Sequence, residues 1–374
     1  MNCRTLLVCL LFLFFGFSCT RHGQREKEQP LDSVNFRYAS FIHVYKYPHC
    51  RLAVLDNPWH KGKSLHRYVL VSRDSTLPAN LPEGTVLRTP LNNLTVGASV
   101  HCGLLSELGA LSAVKGVCDS KYILSPVLRD CIRSKRILDM GLSQNPNVER
   151  LIAMHCDAIL LSPYDRCSFG AVETTRIPIV ECADYMETSP LGRAEWMKFY
   201  GMLVGREACA DSLFDKVEKD YLKLKALARQ TKTRPTLFVD LLTSSVWYQP
   251  GGKSTMGQLF RDAGAAYLWA ENGQSGSLSL SFESVFKKAH DAQLWLIKYG
   301  AVQDLTYAAL QKEQPGYVRF RAFGTRKVWG CNLFHVPFSE TGAFHPERVL
   351  SDMVRIVHPE TGTGKTLQYF QPLR

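Results

Sequence analysis

From residue 36 onward the chain is built of short apolar runs set between polar or glycine-bearing stretches, and the period of those runs changes along it. Between 36 and about 72, apolar and polar residues alternate, as in Arg51-Leu52-Ala53-Val54-Leu55 and Tyr68-Val69-Leu70-Val71. Alternation at period two predicts opening strands with a hairpin among them. Short continuous apolar runs then predict strands at 84–87, 94–97, 114–117, 137–138, 158–161 and 177–180. Helical spacing lies between them at 103–111 and 148–155. Strands that alternate with helices predict a parallel, doubly wound sheet.

Residues 190–230 break this rhythm. Ser189 is suited to cap a helix and Pro190 to open one. No further proline occurs up to Gln230, and apolar residues recur at Trp196, Phe199, Tyr200, Leu203 and Val204, then at Leu213, Phe214, Val217, Tyr221 and Leu224. About 40 residues at that spacing would reach roughly 60 Å, with Gly201, Gly205 and Ala208-Cys209-Ala210 as points of interruption. Beyond Pro235 the first rhythm resumes, with strands at 237–242, 246–248, 293–297 and 326–329 and helices at 256–263, 282–289 and 346–357. The prediction is an α/β protein: two doubly wound lobes, 36–187 and 232–374, joined by one long helical spine, 188–231, with a ligand cleft between the lobes.

The chain has 374 residues, enough for two such lobes. Ahead of them, 6–17 is an apolar run behind a single charge at Arg4, too short to anchor in a bilayer. It reads as a signal peptide, residues 1–19, ending at Ser18-Cys19. A cysteine after a small residue at that point resembles a bacterial lipoprotein site, which makes Cys19 the acylated position, although Gly16 stands where leucine is usual. Residues 20–35 are polar and read as a flexible tether. Of 12 cysteines, Cys3 and Cys9 leave with the signal and nine remain beyond Cys19 without any Cys-x-x-Cys pair. Single buried thiols fit that pattern better than a zinc knuckle. The net charge of +11 is scattered rather than gathered into a stripe, which argues against a nucleic-acid partner.

Two segments echo each other. Asn147-Val148-Glu149-Arg150-Leu151-Ile152-Ala153 leads to Asp157-Ala158-Ile159-Leu160, and Ser281-Phe282-Glu283-Ser284-Val285 leads to Asp291-Ala292-Gln293-Leu294. Each places a glutamate in a helix's first turn, where the helix dipole favours it. With the long helix, the segment Trp247-Tyr248-Gln249-Pro250-Gly251-Gly252-Lys253-Ser254 and the run Leu350-Ser351-Asp352-Met353-Val354-Arg355-Ile356-Val357-His358-Pro359, this chain resembles the helix-linked (class III) periplasmic solute-binding proteins of ABC importers for ferric siderophores, haem or cobalamin. The resemblance implies a periplasmic, lipid-anchored receptor that captures an iron chelate and delivers it to a permease homodimer with its ATPase subunits. It implies that Glu149 and Glu283 dock one lobe each onto that permease. Cobalamin is the alternative ligand, and a bare zinc or manganese ion a further one. The stretch 99–109 departs from the family pattern, which often carries an acidic residue at the helix entry.

Ligands of open α/β sheets bind beyond the carboxyl ends of the strands. Candidate ligand residues are therefore Tyr164 and Arg166 after 158–161, Trp247, Tyr248 and Lys253 after 237–242, and Tyr299 after 293–297. Aromatic rings there stack on a macrocycle or catecholate, and cations pair with an anion. Gly251-Gly252-Lys253-Ser254-Thr255 is not a phosphate-binding loop, because Trp247 stands where that motif needs glycine. No Gly-x-Ser-x-Gly elbow or His-Glu-x-x-His helix occurs, so the expectation is a receptor and not an enzyme, with no cofactor beyond the bound solute.

Overall fold

The structure, a computed structural model, describes residues 29–362 and 366–374. The signal peptide, Cys19 and the first part of the tether lie outside those residues.

The alternating segment forms more than a hairpin. Strands Asp32–Val34, Ile42–Lys46, Arg51–Asp56, Ser64–Ser72 and Thr85–Thr89 make one sheet in chain order. Its pairs are antiparallel until the last, which is parallel. The expected 84–87 strand therefore belongs to this opening sheet and not to the doubly wound lobe, and the first strand falls inside the segment read as tether. Two buried carboxylates fasten the sheet to the molecule. Glu195 accepts from the backbone N–H groups of Arg37, Tyr38 and Ala39 at 3.0, 2.8 and 3.0 Å. Glu187 accepts from those of Ser40 and Phe41, each at 2.9 Å. Burying a carboxylate is costly unless such donors surround it.

The first lobe's sheet is parallel throughout, in the spatial order Ile179–Glu181, Ala158–Leu161, Leu94–Val96, Val114–Val117, Leu138–Asp139. The second lobe's sheet runs Ala266–Tyr267, Thr236–Val239, Leu294–Tyr299, Val328–Asn332, with Gln371–Pro372 added antiparallel at the edge. Its core is aromatic. Phe238 stacks on Trp295 and Phe320 at centroid distances of 4.9 and 5.1 Å.

The spine is not one helix. It consists of Pro190–Glu195, Met197–Leu203 and the 24-residue helix Glu207–Gln230. The first two pieces meet at Trp196, and the second break comes at Gly205, whose φ of +65° is left-handed. A Cβ there would meet Pro90 Cβ at 3.2 Å. The first two pieces are largely buried, and the last buries Phe214, Val217 and Tyr221. Helix Ser99–Glu107 is pinned to the spine through a buried cluster. His101 Nε2 lies 2.8 Å from Asp184 Oδ1, which also accepts from the Tyr200 hydroxyl at 2.8 Å. Arg193 Nε donates to Asp184 Oδ2 at 3.1 Å.

The lobes touch at several points. Buried Glu340, past the carboxyl end of Val328–Asn332, accepts from the N–H groups of Leu124 and Ser125, past the carboxyl end of Val114–Val117. Thr255 donates to the Glu187 carbonyl at 2.7 Å. On another side, His345 and Arg348 of the second lobe hold Glu107 of the first at 2.5 and 3.4 Å. Of the cysteines beyond Cys19, the eight other than Cys50 are free thiols, six of them buried. Burial pushes the Cys118 and Cys331 thiols up to about 12, which makes them unreactive packing groups.

Candidate ligand-binding cleft

The contact of Glu340 with Leu124 and Ser125 brings the carboxyl ends of the two sheets toward each other. In each sheet the chain reverses its order of strand addition at one crevice: between Leu94–Val96 and Ala158–Leu161 in the first lobe, and beside Thr236–Val239 and Leu294–Tyr299 in the second. Such switch points are where open α/β sheets hold ligands.

At the first crevice lies a cavity of about 230 Å3, lined by Gly97, Ala98, Gln144, Ser162, Tyr164 and Phe169 among others. Gly97 is required there, since a Cβ would meet the Leu160 carbonyl oxygen at 2.8 Å. At the second crevice Asp240 and Lys298 form an ion pair at 2.9 Å, each side chain about a quarter exposed. Asp240 also accepts from the Lys298 N–H at 3.1 Å, and its φ of +57° is left-handed. A charged pair held by strained backbone at a switch point is a functional candidate. The sequence reading missed it, although Asp240 directly follows the strand it had placed correctly in outline.

The expected ligand residues divide. Tyr164 is 56% exposed and lines the first crevice. Tyr248 is 47% exposed on strand Val246–Pro250. Trp247 is its neighbour on the opposite face of that strand and is fully buried, packing on Phe238, Tyr317 and Trp295 with its Nε1 donating to the Val239 carbonyl at 2.9 Å. It is a core residue and not a stacking ring of the cleft. Arg166 is exposed but borders a different pocket, described below. Lys253 is exposed in the turn before helix Thr255–Asp262, and Ser254 caps that helix by accepting from the Gly257 N–H at 3.0 Å. The Gly-Gly-Lys-Ser run is thus a helix entry, and it does not line the cavity at the first crevice. Tyr299 is half-buried at the second crevice, and its hydroxyl accepts from the Leu305 N–H at 2.9 Å. It braces loop 300–305, and burial raises its hydroxyl above the usual range.

The structure adds rings that the sequence reading passed over. Among the described residues the exposed Tyr, Phe and Trp side chains are Tyr122, Tyr164, Tyr185, Tyr248 and Phe334. Each lies on the segment that follows the carboxyl end of a parallel strand: 114–117, 158–161, 179–181, 236–239 and 328–332 respectively. The carboxyl-end rule, applied to every strand, would have found Tyr122 and Phe334. Among the described residues no three His, Cys, Asp or Glu side chains gather as a metal-ion site. A larger cavity, about 680 Å3, lies elsewhere, between Glu207–Gln230 and Pro346–Val357.

Glu149 and Glu283 are exposed in the first turns of helices Val148–Ala153 and Phe282–Ala289. Each helix has a side-chain cap, Asn147 accepting from the Arg150 N–H at 2.9 Å and Ser281 from the Ser284 N–H at 3.2 Å. Hydrogen bonds from its own N–H and from Ser281 hold the Glu283 carboxyl below its ordinary pKa. Each helix leads into a central strand of its lobe, so the echo seen in the sequence is an echo of position in the fold.

Known proteins agree with this architecture. An Fe3+-hydroxamate transport system protein of Saccharomonospora viridis superposes with a TM-score of 0.56 over 72% of this chain and 94% of its own, at 17% identity. The periplasmic heme-binding protein HutB of Vibrio cholerae gives 0.56 over 69% and 97%, at 14% identity. An uncharacterized lipoprotein of Methanocaldococcus jannaschii is 26% identical over 321 residues, 81% of this chain and 75% of that one. The model of the periplasmic binding protein family matches residues 108–332, more than half of the chain. The chain therefore belongs to the periplasmic binding protein family, the non-enzymatic solute receptors of ABC importers.

Proposed function

We propose that this receptor captures an iron chelate, a siderophore or haem, and delivers it to a permease of two like subunits. The observation that carries the ligand class is the position of the exposed rings, among the described residues, on the segments that follow the carboxyl ends of parallel strands. Flat rings arrayed around a crevice bury a bulky macrocycle or a set of catecholate or hydroxamate arms. The Asp240–Lys298 pair and the Ser162 and Gln144 side chains offer the few polar contacts that fix orientation. Similarity in fold to proteins named for Fe3+-hydroxamate and heme supports the reading.

A lipid on Cys19 would hold the receptor at the membrane surface, and the relative named as a lipoprotein supports this. Glu149 and Glu283, at matching places in the two lobes, would meet matching basic sites on the permease.

Absorbance spectra test the ligand class. Purified receptor is mixed with haemin, ferrichrome or cyanocobalamin, passed through a desalting column and scanned. A retained Soret band or ferric charge-transfer band supports the reading. Retention of the corrinoid alone would replace it with cobalamin uptake, and retention of none of them would remove it.

A further inference from the structure

We infer that the pocket between the opening sheet and the first lobe's loop 162–181 is a second binding subsite, one that takes a carboxylate-bearing arm of a ligand whose body lies in the cleft. It rests on the chelate reading only for what the arm is attached to. The pocket holds about 540 Å3. Its outer wall is loop 57–63, which joins two strands of the opening sheet. Asn57 Oδ1 accepts from the N–H groups of Trp59 and His60 at 3.0 and 2.9 Å and fixes that loop. His60 then reaches across to Asp165 at 3.2 Å.

The acids of the pocket are already engaged. Glu181 and Thr85 hold His66 at 3.1 and 2.8 Å. Asp165 is taken by His60, and Glu173 accepts from the Phe169 N–H at 2.6 Å. Two guanidinium groups on the lining, Arg166 and Arg176, have no acceptor among the described residues. Arg166 is held in the left-handed region, φ +54°, by a turn in which the Cys167 N–H donates to the Tyr164 carbonyl at 2.9 Å. Trp59, Tyr164 and Phe169 supply apolar surface beside the cations. These two unpartnered guanidinium groups are planar and fork-shaped, which suits a carboxylate bound in bidentate fashion. Tyr164 and Phe169 border both this pocket and the first crevice, so one ligand can reach both.

Two titrations test this. Iron-free citrate is added to the full-length receptor while tryptophan emission is followed. A saturable change is expected at millimolar citrate, absent in Trp59→Phe and lost in Arg166→Gln/Arg176→Gln. No saturable change, the same change in Trp59→Phe, or unaltered affinity in the double variant overturns the subsite. Haemin, with two carboxylates, is then compared with ferrichrome, an uncharged ferric hydroxamate. The double variant is expected to lose tenfold or more in haemin affinity and to keep its ferrichrome affinity. Equal losses for both would make the arginines general cleft residues and overturn the proposal. If neither chelate binds wild type while citrate still does, the chelate reading fails and the subsite stands.

Discussion

Neighbouring residues on one strand carry opposite consequences here. Trp247 and Tyr248 read alike as rings after a strand, but strand alternation sends one into the core and the other to solvent. Trp247→Ala is expected to lower unfolding free energy by about 3–5 kcal/mol, because it empties a fully buried site. Tyr248→Ala is expected to leave stability unchanged and weaken ligand binding by about 1–3 kcal/mol. Urea unfolding and calorimetry on both variants separate the two roles; the reverse pattern would exchange them. His101 and Asp184 set a pH dependence. Burial opposes charge on His101, but Cys182 and Asp184 outweigh it and raise the imidazole from 6.5 to about 10. A raised histidine stabilises fully below about 6.5 and loses that contribution as pH climbs through 10. Burial also opposes charge on Asp184, yet His101 and Arg193 bring it from 3.8 down to about 2. Its contribution is complete above about 3.8 and is lost as pH falls through 2. Stability from this pair is therefore level between about pH 4 and 6.5 and declines toward 10. His101→Gln should flatten the alkaline decline in urea midpoints. An unchanged slope would mean that His101 is neutral in the fold.

At the scale of elements, periodicity located what is locally encoded. Strands 114–117 and 158–161 and helices 282–289 and 346–357 fall where the apolar pattern placed them. Ser281 and Pro346 mark the starts of the two helices by their own chemistry. Pattern could not say which strands pair. The run at 85–89 looks like any short buried strand, and only its parallel register with Ser64–Ser72 assigns it to the opening sheet. The two-residue strands at 138–139 and 371–372 are too short to carry a period at all. In the spine, the sequence offered Gly201 and Gly205 equally as breaks. Gly201 stays helical, and Gly205 ends the turn because its backbone is left-handed. Gly205→Ala is expected to cost about 1–2 kcal/mol from that conformation, with a further strain from the close Pro90 ring. Chemical denaturation reads this directly. A neutral result would show that the break relaxes into continuous helix.

For the whole molecule, the cleft was legible as a location and less so as a list of side chains. The carboxyl-end rule gave Tyr164 and Tyr248 their side of the sheets, whereas the Asp240–Lys298 pair exists only because parallel register aligns two strands 55 or more residues apart in the chain. The contacts of Glu107 with His345 and of Glu340 with Ser125 tie the lobes together at separate points, which favours a preformed cleft over a wide hinge. The proposed docking onto a permease would then be a rigid-body event. Glu149→Ala with Glu283→Ala is expected to keep ligand affinity within about twofold and to reduce cellular uptake on the order of tenfold or more. Lysine at both positions should be worse than alanine through like-charge repulsion. Binding lost with the fold intact would move the glutamates into the ligand site, and normal uptake would remove them from docking.

The opening sheet also decides how this receptor responds to a pull. Strand Asp32–Val34 is an edge strand paired antiparallel to Ile42–Lys46, and behind it the chain is clamped by amides donated to Glu187 and Glu195. A load applied at residue 29 would first peel that strand, breaking its ladder one bond at a time at low force. The load would then meet the clamp, where several hydrogen bonds to two carboxylates must give way together. An optical-trap record should show a small early extension followed by a plateau that falls in Glu195→Ala, where only the Glu187 bonds remain. The cleft lies beyond that plateau, so tension applied at residue 29 would be absorbed before it could reach the cleft.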